Sequence, residues 1–440
     1  MADHARSDDP AVQAQLDRLA RLSPGADILG LERITRLLAA LGDPHLALPP
    51  QFHVAGTNGK GSTCAFLRAA LEADGKSVHA FTSPHLVRFN ERIRIHGQLV
   101  GDAQLAAALE RVLDAGGDIG ASFFEVTTAA AFLMFAEHPA DACIIEVGLG
   151  GRLDATNVLP HPAVCGIAQL GMDHQAFLGE TPKAIAAEKA GIAKSGVPLV
   201  TLRYEPEIAG VIASSAAAAD ARWLAMGGAW DAATYRDKLH YRDDQGRIEM
   251  PLPRLAGAHQ AENAALAVAM LRHQTALAVS ESSIRAAPLW ASWPARLQHL
   301  DAGPLVSRIN ARGQDRQIWL DGGHNPAAGE ALGSYFSADR LEGRKLQVVI
   351  GMLANKDAAG FLAPLRHGIA HLHVLPVPGH EHHGPELFAA LAADWGIEVS
   401  AHTDPTTAAD ALADGDDPVL ICGSLYLAGE ILRLNEQIPD

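Results

Sequence analysis

The sequence predicts an α/β fold: a larger P-loop-type domain on a doubly wound, mostly parallel sheet, and a smaller C-terminal α/β domain that is Rossmann-like. Short apolar runs alternate with helical segments along most of the 440 residues, as in parallel βαβ units. A glycine-rich loop around Lys60 lies between the first strand and a helix. The alternation restarts beyond Pro294, so the predicted domains are residues 1–295 and 296–440.

The loop HVAGTNGKGST (53–63) has the composition of a phosphate-binding loop, and its candidate phosphate-binding residues are Gly56, Thr57, Asn58, Gly59, Lys60, Gly61 and Ser62. Glycines let backbone N–H groups approach phosphate oxygens, and the helix predicted over 62–73 points its positive end at the same anion. Lys60 adds a charge for the β- and γ-phosphates. The general P-loop pattern would need glycine at Val54 and a hydroxyl residue where Gly61 stands. We favour a nucleoside triphosphate site over a glycine-rich turn that binds nothing.

Composition and charge exclude several classes of protein. A net charge of −16 disfavours broad nucleic-acid binding, which needs a basic face. No apolar run has the length of a membrane span, so no membrane partner is expected. The four cysteines form no C-x-x-C pair, which favours buried, reduced thiols in the cytoplasm.

Apolar periodicity and cap signals predict the other elements of the first domain. Strands are predicted over 77–82, 141–151, 161–171 and 197–203, and helices over 102–114, 123–137 and 255–272. Another helix has Thr181 as its N-cap and Pro182 as its first residue, and it stops at Gly191. A β-rich excursion is predicted over 228–253.

The second domain repeats the alternation of strands and helices over about 140 residues, an ordinary domain size. Its strands are predicted in RQIWLDGG (316–323), KLQVVIGML (345–353), HLHVLPVP (371–378), 397–402 and DPVLICGS (417–424). Its helices are predicted near 326–338, 357–368 and 385–395, with a short one before the last strand.

Polar side chains lie at the ends of four predicted strands of the first domain. They are Lys60, Ser83, Glu146 and the pair Asp173 and His174. Ligands of open α/β sheets bind at the carboxyl ends of the strands, which lie along one edge. Oxygen ligands at that edge predict a Mg²⁺ ion beside the triphosphate.

The residues themselves leave alternatives open at three positions. Glu146 could instead act as a cap or pair with Arg152. His174 could be a metal ligand, a general base or a core histidine, and its place at a strand end favours the ligand. Lys189 lies beside Glu188, and such a pair is usually a solvated ion pair.

A run of histidines at residues 380–383 is a separate candidate. Flanking Pro–Gly and Gly–Pro pairs predict a loop. The run lacks helical zinc spacing with a second ligand pair, so we do not predict a metal there and its role stays open.

Eight motifs then point to one family. They are HVAGTNGKGST (53–63), TSPHLVRFNERI (82–93), IIEVGLGGRLDATNV (144–158), DHQAFLGET (173–181), EKAGIAK (188–194), AGAHQAENAA (256–265), LDGGHNPAA (320–328) and CGSLYLAGEI (422–431). In this order, over nearly the whole chain, they resemble the folylpolyglutamate synthase family of the Mur ligase superfamily, and most closely its bifunctional bacterial members. The larger domain is thereby similar to a Mur ligase central domain.

The resemblance implies an ATP-dependent ligase with dihydrofolate synthase and tetrahydrofolate synthase activities. In that chemistry a pteroate or folate carboxylate takes the γ-phosphoryl group of ATP, and the amine of L-glutamate attacks the acyl phosphate. The implied cofactors are ATP and two magnesium ions, with a monovalent cation such as K⁺ left open. The implied partners are dihydropteroate, reduced folates and L-glutamate, and a monomer is expected. Whether one or both activities are present stays open.

The resemblance also assigns roles by motif position. It assigns catalytic roles to Lys60, His174 and Lys189, and magnesium ligation to Ser83, Glu146, His174 and Lys189. It assigns nucleotide contacts, besides those of the loop, to Asn263, Arg296, Asp321 and His324. It assigns pterin contacts to Phe124, Thr127 and Ala155. In the family the lysine of the EKAG motif, which here is Lys189, is carbamylated. Arg296 lies at the predicted interdomain linker and could reach the phosphates on domain closure. Two departures are Ala295, which replaces a glycine, and Gly323, which replaces an alanine.

Two rival classes are less well supported. A Mur ligase acting on peptidoglycan precursors would normally have an extra N-terminal domain, and only about 50 residues precede the loop. A nucleotide-dependent switch would not need a second α/β domain with its own polar motif.

Overall fold

A computed structural model describes residues 5–22, 29–313, 315–337 and 339–440. The chain forms two compact units, one made of residues up to Arg254 with His259–Ser292, the other of Leu255–Ala258 and Trp293–Pro439. Both are α/β units with largely parallel sheets, so the predicted fold class is confirmed. Among the described residues, no helix is long and apolar enough to cross a membrane.

An eight-stranded sheet forms the centre of the first unit. Its strands are β1 Gln51–Ala55, β2 Val78–Phe81, β3 Ile93–Ile95, β4 Gln98–Leu99, β5 Ala142–Glu146, β6 Val164–Ile167, β7 Pro198–Thr201 and β8 Arg222–Ala225. Their order is β4-β3-β2-β5-β1-β6-β7-β8, and only β3 and β4 pair antiparallel to their neighbours. Every residue of β1, β2, β5 and β6 is buried, which explains why these strands are apolar rather than alternating.

Helices surround this sheet. They are α1 Pro10–Leu22, α2 Glu32–Ala40, α3 Lys60–Ala73, α4 Asp102–Ala115, α5 Phe123–Glu137, α6 Gln175–Leu178, α7 Pro182–Ala190, α8 Pro206–Ala218, α9 His259–His273 and α10 Glu281–Trp290, with 3₁₀ turns at Pro44–Leu46, Phe89–Arg92 and Ala155–Val158. The predicted bounds of α5 are confirmed, and Thr181 caps α7 by accepting a hydrogen bond from Ala184 N. Helix α9 begins at His259, four positions after the predicted Leu255.

The predicted β-rich excursion is a three-stranded antiparallel sheet. Its strands are β9 Trp230–Tyr235, β10 Lys238–Asp243 and β11 Gly246–Pro251. The Arg272 guanidinium at the end of α9 holds this sheet by two 2.6 Å bonds to the buried carboxylate of Asp243. A bidentate pair of this kind fixes the small sheet to the helix.

The second unit has a six-stranded sheet in the order β12-β13-β17-β14-β15-β16, parallel except for β12. Its strands are β12 Gln298–His299, β13 Ile318–Leu320, β14 Leu346–Ile350, β15 Ile369–Val374, β16 Glu398–Ala401 and β17 Val419–Cys422. Its helices are α11 Pro304–Ile309, α12 Pro326–Tyr335, α13 Ala358–Leu362, α14 Pro385–Ala393, α15 Pro405–Leu412 and α16 Leu425–Leu434, with a 3₁₀ turn at Arg366–Gly368. Helix α12 ends before the predicted position 338, which lies outside the described residues.

Two buried histidines make the fold sensitive to acid. His53 in β1 bonds to Thr156 Oγ1 at 2.8 Å, and burial with the nearby charge of Lys194 lowers its pKa to about 3. His373 in β15 lies between His402 Nε2 and Gln347 Oε1, each at 3.0 Å, and burial lowers its pKa to about 4.

The folded state holds both imidazoles neutral, whereas the unfolded chain binds a proton at each of them below a pKa of about 6.5. The free energy of unfolding is therefore highest above that pKa and decreases as pH falls towards 4. We expect the free energy of unfolding to be lower at pH 5 than at pH 7.5, by about 2 kcal/mol for each histidine. Denaturant unfolding at the two pH values measures this difference, which should shrink in His373→Asn. Equal pH sensitivity in that variant would contradict the assignment to His373.

Candidate functional site

The loop between β1 and α3 lies at the carboxyl edge of the first sheet. Gly56 and Gly59 have φ of +154° and +82°, and α3 begins directly at Lys60. The N–H groups of Thr57 and Asn58 donate to Gln169 O at 2.8 and 3.2 Å. These two amides brace the loop against the end of β6, which leaves the amides of the first turn of α3 for an anion.

Two lysines meet at this loop. Lys60 Nζ donates to Gly56 O at 3.1 Å and to Thr57 O at 3.3 Å. Lys189 Nζ, from α7, donates to the same Gly56 O at 3.0 Å and is 5 % exposed. Glu188 pairs with Arg152 at 2.8 Å, so the interpretation of Lys189 and Glu188 as a solvated ion pair is wrong.

The environment of Lys189 favours its neutral amine. Burial and the neighbouring charge of Lys60 lower the pKa of Lys189 from 10.5 to about 7, although the carboxylates of Asp173 and Asp154 act in the opposite direction. The neutral, nucleophilic form of this amine is therefore easier to reach at neutral pH than that of an ordinary lysine.

Glu146, the last residue of β5, is 4 % exposed and accepts a hydrogen bond from Ser83 N at 3.2 Å. The ends of β2 and β5 are therefore adjacent, as predicted from the strand ends. The alternative partner, Arg152, forms its ion pair with Glu188 instead. A buried carboxylate next to a serine is a donor set that suits Mg²⁺.

His174 follows the extension of β6 and has φ of +52°. Its side chain is 45 % exposed, and its Nε2 lies 3.9 Å from Asp173 Oδ1. Because the side chain faces solvent, the core-histidine alternative is wrong, and the imidazole is accessible to a ligand at this edge.

Asn263, on α9, packs directly on the loop although it lies about 200 positions further along the chain. A Cβ atom at Gly59 would overlap the Asn263 amide, whose Nδ2 donates to Gln260 Oε1 at 3.0 Å. Gly59 is therefore required both by its positive φ and by this contact.

For Gly59→Ala we expect a loss of about 1–3 kcal/mol in the free energy of unfolding, because the methyl group displaces Asn263 and the backbone is strained. Nucleotide affinity should fall with it. Chemical denaturation and calorimetric titration with ADP measure the two effects, and Gly75→Ala, at a positive φ with open space around it, is the control for backbone strain alone. Equal losses in both variants would exclude a role for the Asn263 contact.

The predicted pterin residues lie on α5 and the turns after β5. The Phe124 ring covers Gly148, where a Cβ atom would overlap it, and the ring lies 5.8 Å from that of Phe81. Ala155 is 5 % exposed. Thr127 is fully buried, and its hydroxyl donates to Phe123 O at 2.8 Å, so this hydroxyl is engaged inside α5.

Sequence reasoning missed a buried network under this site. Asp154 Oδ1 accepts from Thr156 Oγ1 at 2.5 Å, Asp154 Oδ2 accepts from Leu149 N at 2.8 Å, and the Thr156 hydroxyl bonds to His53. The network fixes the turn after β5. The sequence signal for this network was the set of polar residues Asp154, Thr156 and Asn157 soon after a glycine-rich turn. A solvent-exposed loop would have the same composition, so the signal does not identify a buried network.

In the second unit, the predicted nucleotide residues lie around the end of β13. Asp321 accepts from Leu297 N at 2.8 Å and from Gly323 N at 2.7 Å, and His324 Nδ1 lies 2.8 Å from Gly322 O. Arg296 donates to Ala295 O at 2.8 Å. The structure thus brings Arg296, Asp321 and His324 into one neighbourhood.

Ala295 has φ of +54°, in the left-handed region. A glycine, which the resemblance implies at this position, would adopt this conformation without strain, so the departure at Ala295 lies where the backbone favours glycine.

The histidine run forms a loop, as predicted. His383 N–H donates to Met352 O at 3.0 Å, Ala354 N–H donates to Glu381 O at 3.0 Å, and the His380 ring stacks on Tyr426 with centroids 3.9 Å apart. Among the described residues, no group of three or more His, Cys, Asp or Glu side chains is arranged to hold a metal ion.

A glycine–lysine loop at the edge of a parallel sheet, in a chain with a second α/β unit, is the arrangement expected of the Mur-type ligases. The family described as the Mur ligase glutamate ligase domain matches residues 307–425. The chain is 35 % identical to the folylpolyglutamate synthase of Lacticaseibacillus casei, over 91 % of this chain and 92 % of that protein. It is 36 % identical to the dihydrofolate synthase/folylpolyglutamate synthase of Escherichia coli, over 92 % and 91 %. The chain belongs to the folylpolyglutamate synthase/dihydrofolate synthase family.

Solved structures of the family are similar to this chain over nearly its whole length. Escherichia coli FolC in complex with DHPP and ADP has a TM-score of 0.85 at 34 % identity, with 98 % of each chain covered. A bifunctional folylpolyglutamate synthase/dihydrofolate synthase, solved with Mn, AMPPNP and L-glutamate bound, has a TM-score of 0.83 at 32 % identity, with 96 % of this chain and 97 % of that chain covered. The family resemblance predicted from the eight motifs is confirmed.

Proposed function

We propose that this ATP-dependent ligase joins L-glutamate both to dihydropteroate and to reduced folates. The observation that carries the proposal is the meeting of Lys60 and Lys189 at one carbonyl, Gly56 O, at the same sheet edge as the buried carboxylate of Glu146. The reaction is amide formation: the folate carboxylate oxygen attacks the γ-phosphorus, ADP leaves, and the glutamate nitrogen then attacks the acyl phosphate and releases phosphate and a proton. Two anions must meet, so concentrated positive charge is the main requirement.

The loop provides that charge. Lys60 can exchange its two carbonyl contacts for the β- and γ-phosphate oxygens, and the free amides at the start of α3 face the same anion. Bracing by Thr57 and Asn58 keeps the loop in one shape before ATP binds. Positioning of this kind supplies most of the rate enhancement in phosphoryl transfer.

Ser83, Glu146 and His174 are the residues that we propose hold magnesium. The buried Glu146 carboxylate and the accessible His174 imidazole suit the group, and a bound ion would screen the repulsion between carboxylate and phosphate.

We propose that Lys189 is carbamylated. Its neutral amine would attack CO₂, forming an N–C bond and releasing one proton to water, so the buried cation becomes an anion. This change replaces the repulsion between Lys189 and Lys60 by an attraction, and the remaining N–H can still donate to Gly56 O. The carbamate oxygens would then serve as ligands of a second magnesium ion.

The remaining assignments are also proposals. Asn263 in the first unit, and Arg296, Asp321 and His324 in the second, would contact the nucleotide, and the functional domains would be residues 1–295 and 296–440. Phe124 and Ala155 would line the pterin side, with Thr127 acting only through the packing of α5. We further propose a monomer in the cytoplasm, where the four buried free cysteines would stay reduced.

One assay tests the function. Purified protein with Mg-ATP and labelled glutamate is offered dihydropteroate or a reduced folate in parallel. We expect ATP turnover that depends on glutamate with both acceptors. Turnover with reduced folates alone would exclude the dihydrofolate synthase activity. The remaining alternative would be folylpolyglutamate synthase activity only, which is the activity in the name of the Lacticaseibacillus casei relative. Turnover with neither would overturn the proposal.

A further inference from the structure

The carboxyl end of α7 is held by the turn that follows β5. A Cβ atom at Gly151 would lie 2.7 Å from Glu188 O and 2.9 Å from Lys189 O. The N–H of Arg152 donates to Glu188 O at 2.7 Å. The turn therefore contacts the backbone of Lys189 itself, and only glycine permits so close an approach.

One side chain ties the two segments together. Asn157 Nδ2 donates to Arg152 O in the turn at 3.0 Å and to Gly191 O at the end of α7 at 3.1 Å. Both N–H groups of this amide are therefore used to join the turn to the end of α7.

We infer that Asn157 is a positioning residue for Lys189: it clamps the end of α7 to the turn after β5 and so holds the lysine nitrogen at Gly56. Strand β5 also carries Glu146, so the clamp sets the Lys189 helix against the strand of a proposed magnesium ligand. Asn157 contacts neither the lysine nitrogen nor any proposed substrate group. The inference rests on the proposed carbamate, because a carbamate ligates a metal only if its carrier is fixed.

The test compares carbamate formation in the intact wild-type protein and in Asn157→Asp, which keeps the shape but loses both donors, and Asn157→Ala. Each protein is equilibrated with ¹³C-labelled bicarbonate, and the carbamate carbon is followed by NMR across a bicarbonate series. We expect half-saturation to require about tenfold more bicarbonate in both variants. kcat at low bicarbonate should fall in parallel and recover at high bicarbonate.

Asn435→Ala is the matched control for lost stability. Asn435 is 1 % exposed and bridges backbone groups of Ala302, Leu305 and Val306 in the second unit. It should destabilise the protein without changing the bicarbonate dependence. If neither Asn157 variant folds, Gly151→Ala carries the test, because its methyl group would overlap Glu188 O and Lys189 O and so push the end of α7 away from the turn. A raised bicarbonate requirement is again expected.

The outcomes separate the inference from the function on which it rests. A carbamate signal in the wild type with an unchanged bicarbonate requirement in the Asn157 variants, or in Gly151→Ala where it stands in for them, overturns the positioning role alone. Absence of the signal from the wild type overturns the proposed carbamate and the inference together.

Discussion

Lys60→Met is expected to lower kcat about a thousandfold, corresponding to about 4 kcal/mol of transition-state stabilisation. The ammonium group of Lys60 is anchored on two loop carbonyls, at 3.1 and 3.3 Å, within reach of any phosphate bound at the start of α3. Methionine keeps most of the length of the side chain and removes its charge together with its two hydrogen bonds to the loop. Steady-state ATP turnover measures the effect, and Lys76→Met, which removes a lysine just beyond the end of α3, is the matched control.

The same substitution should change the chemistry of Lys189. The Lys60 charge is one of the two causes that lower the pKa of Lys189, so its removal should raise that pKa towards the ordinary value. Less neutral amine would then exist at pH 7, and carbamylation would need more CO₂. A Lys60→Met enzyme whose carbamate forms as readily as that of the wild type would contradict the coupling between the two lysines.

The parts of this site that the sequence predicted are local. A glycine–lysine loop, and polar residues placed where apolar strands end, need only the chain direction and the strand–helix alternation to be located. Glu146 and Ser83 are therefore adjacent, as their strand ends predicted. The cap signals at Thr181 and Gly191 set the bounds of α7 for the same reason.

The parts that were missed depend on contacts between distant segments. Without the family resemblance, Lys189 looked like half of an ion pair, because its burial follows from the packing of α7 on Gly56, 133 positions away. The hydrogen bonds from the Thr57 and Asn58 amides to Gln169 O, more than 110 positions away, were likewise not predicted. The hairpin of β3 and β4 was also missed, although His96 and Gly97, with φ of +52° and +79°, form a tight turn whose glycine was visible.

Lys189→Met should abolish most activity while making the protein more stable. Burial disfavours the charged lysine, so the folded state holds a desolvated amine that the unfolded chain does not. A methionine of similar length removes that penalty without leaving a cavity, and stability gained at the loss of function is common at active sites. We expect kcat to fall about 10²–10³-fold and the midpoint of thermal unfolding to rise.

Three comparisons distinguish a lost carbamate from general damage. Lys183→Met, at an exposed lysine of the same helix that pairs with Glu207, should leave kcat unchanged. Lys189→Ala leaves space at Gly56, so acetate or formate should partly restore its turnover by supplying the missing carboxylate, whereas Lys189→Arg keeps the positive charge and should not respond. Wild-type activity should also fall when CO₂ is removed. If Lys189→Met kept most of its activity, the anion at this position would be unnecessary. The positive charge that brings the two reacting anions together would then have to come from Lys60 and the magnesium ion proposed at Ser83, Glu146 and His174.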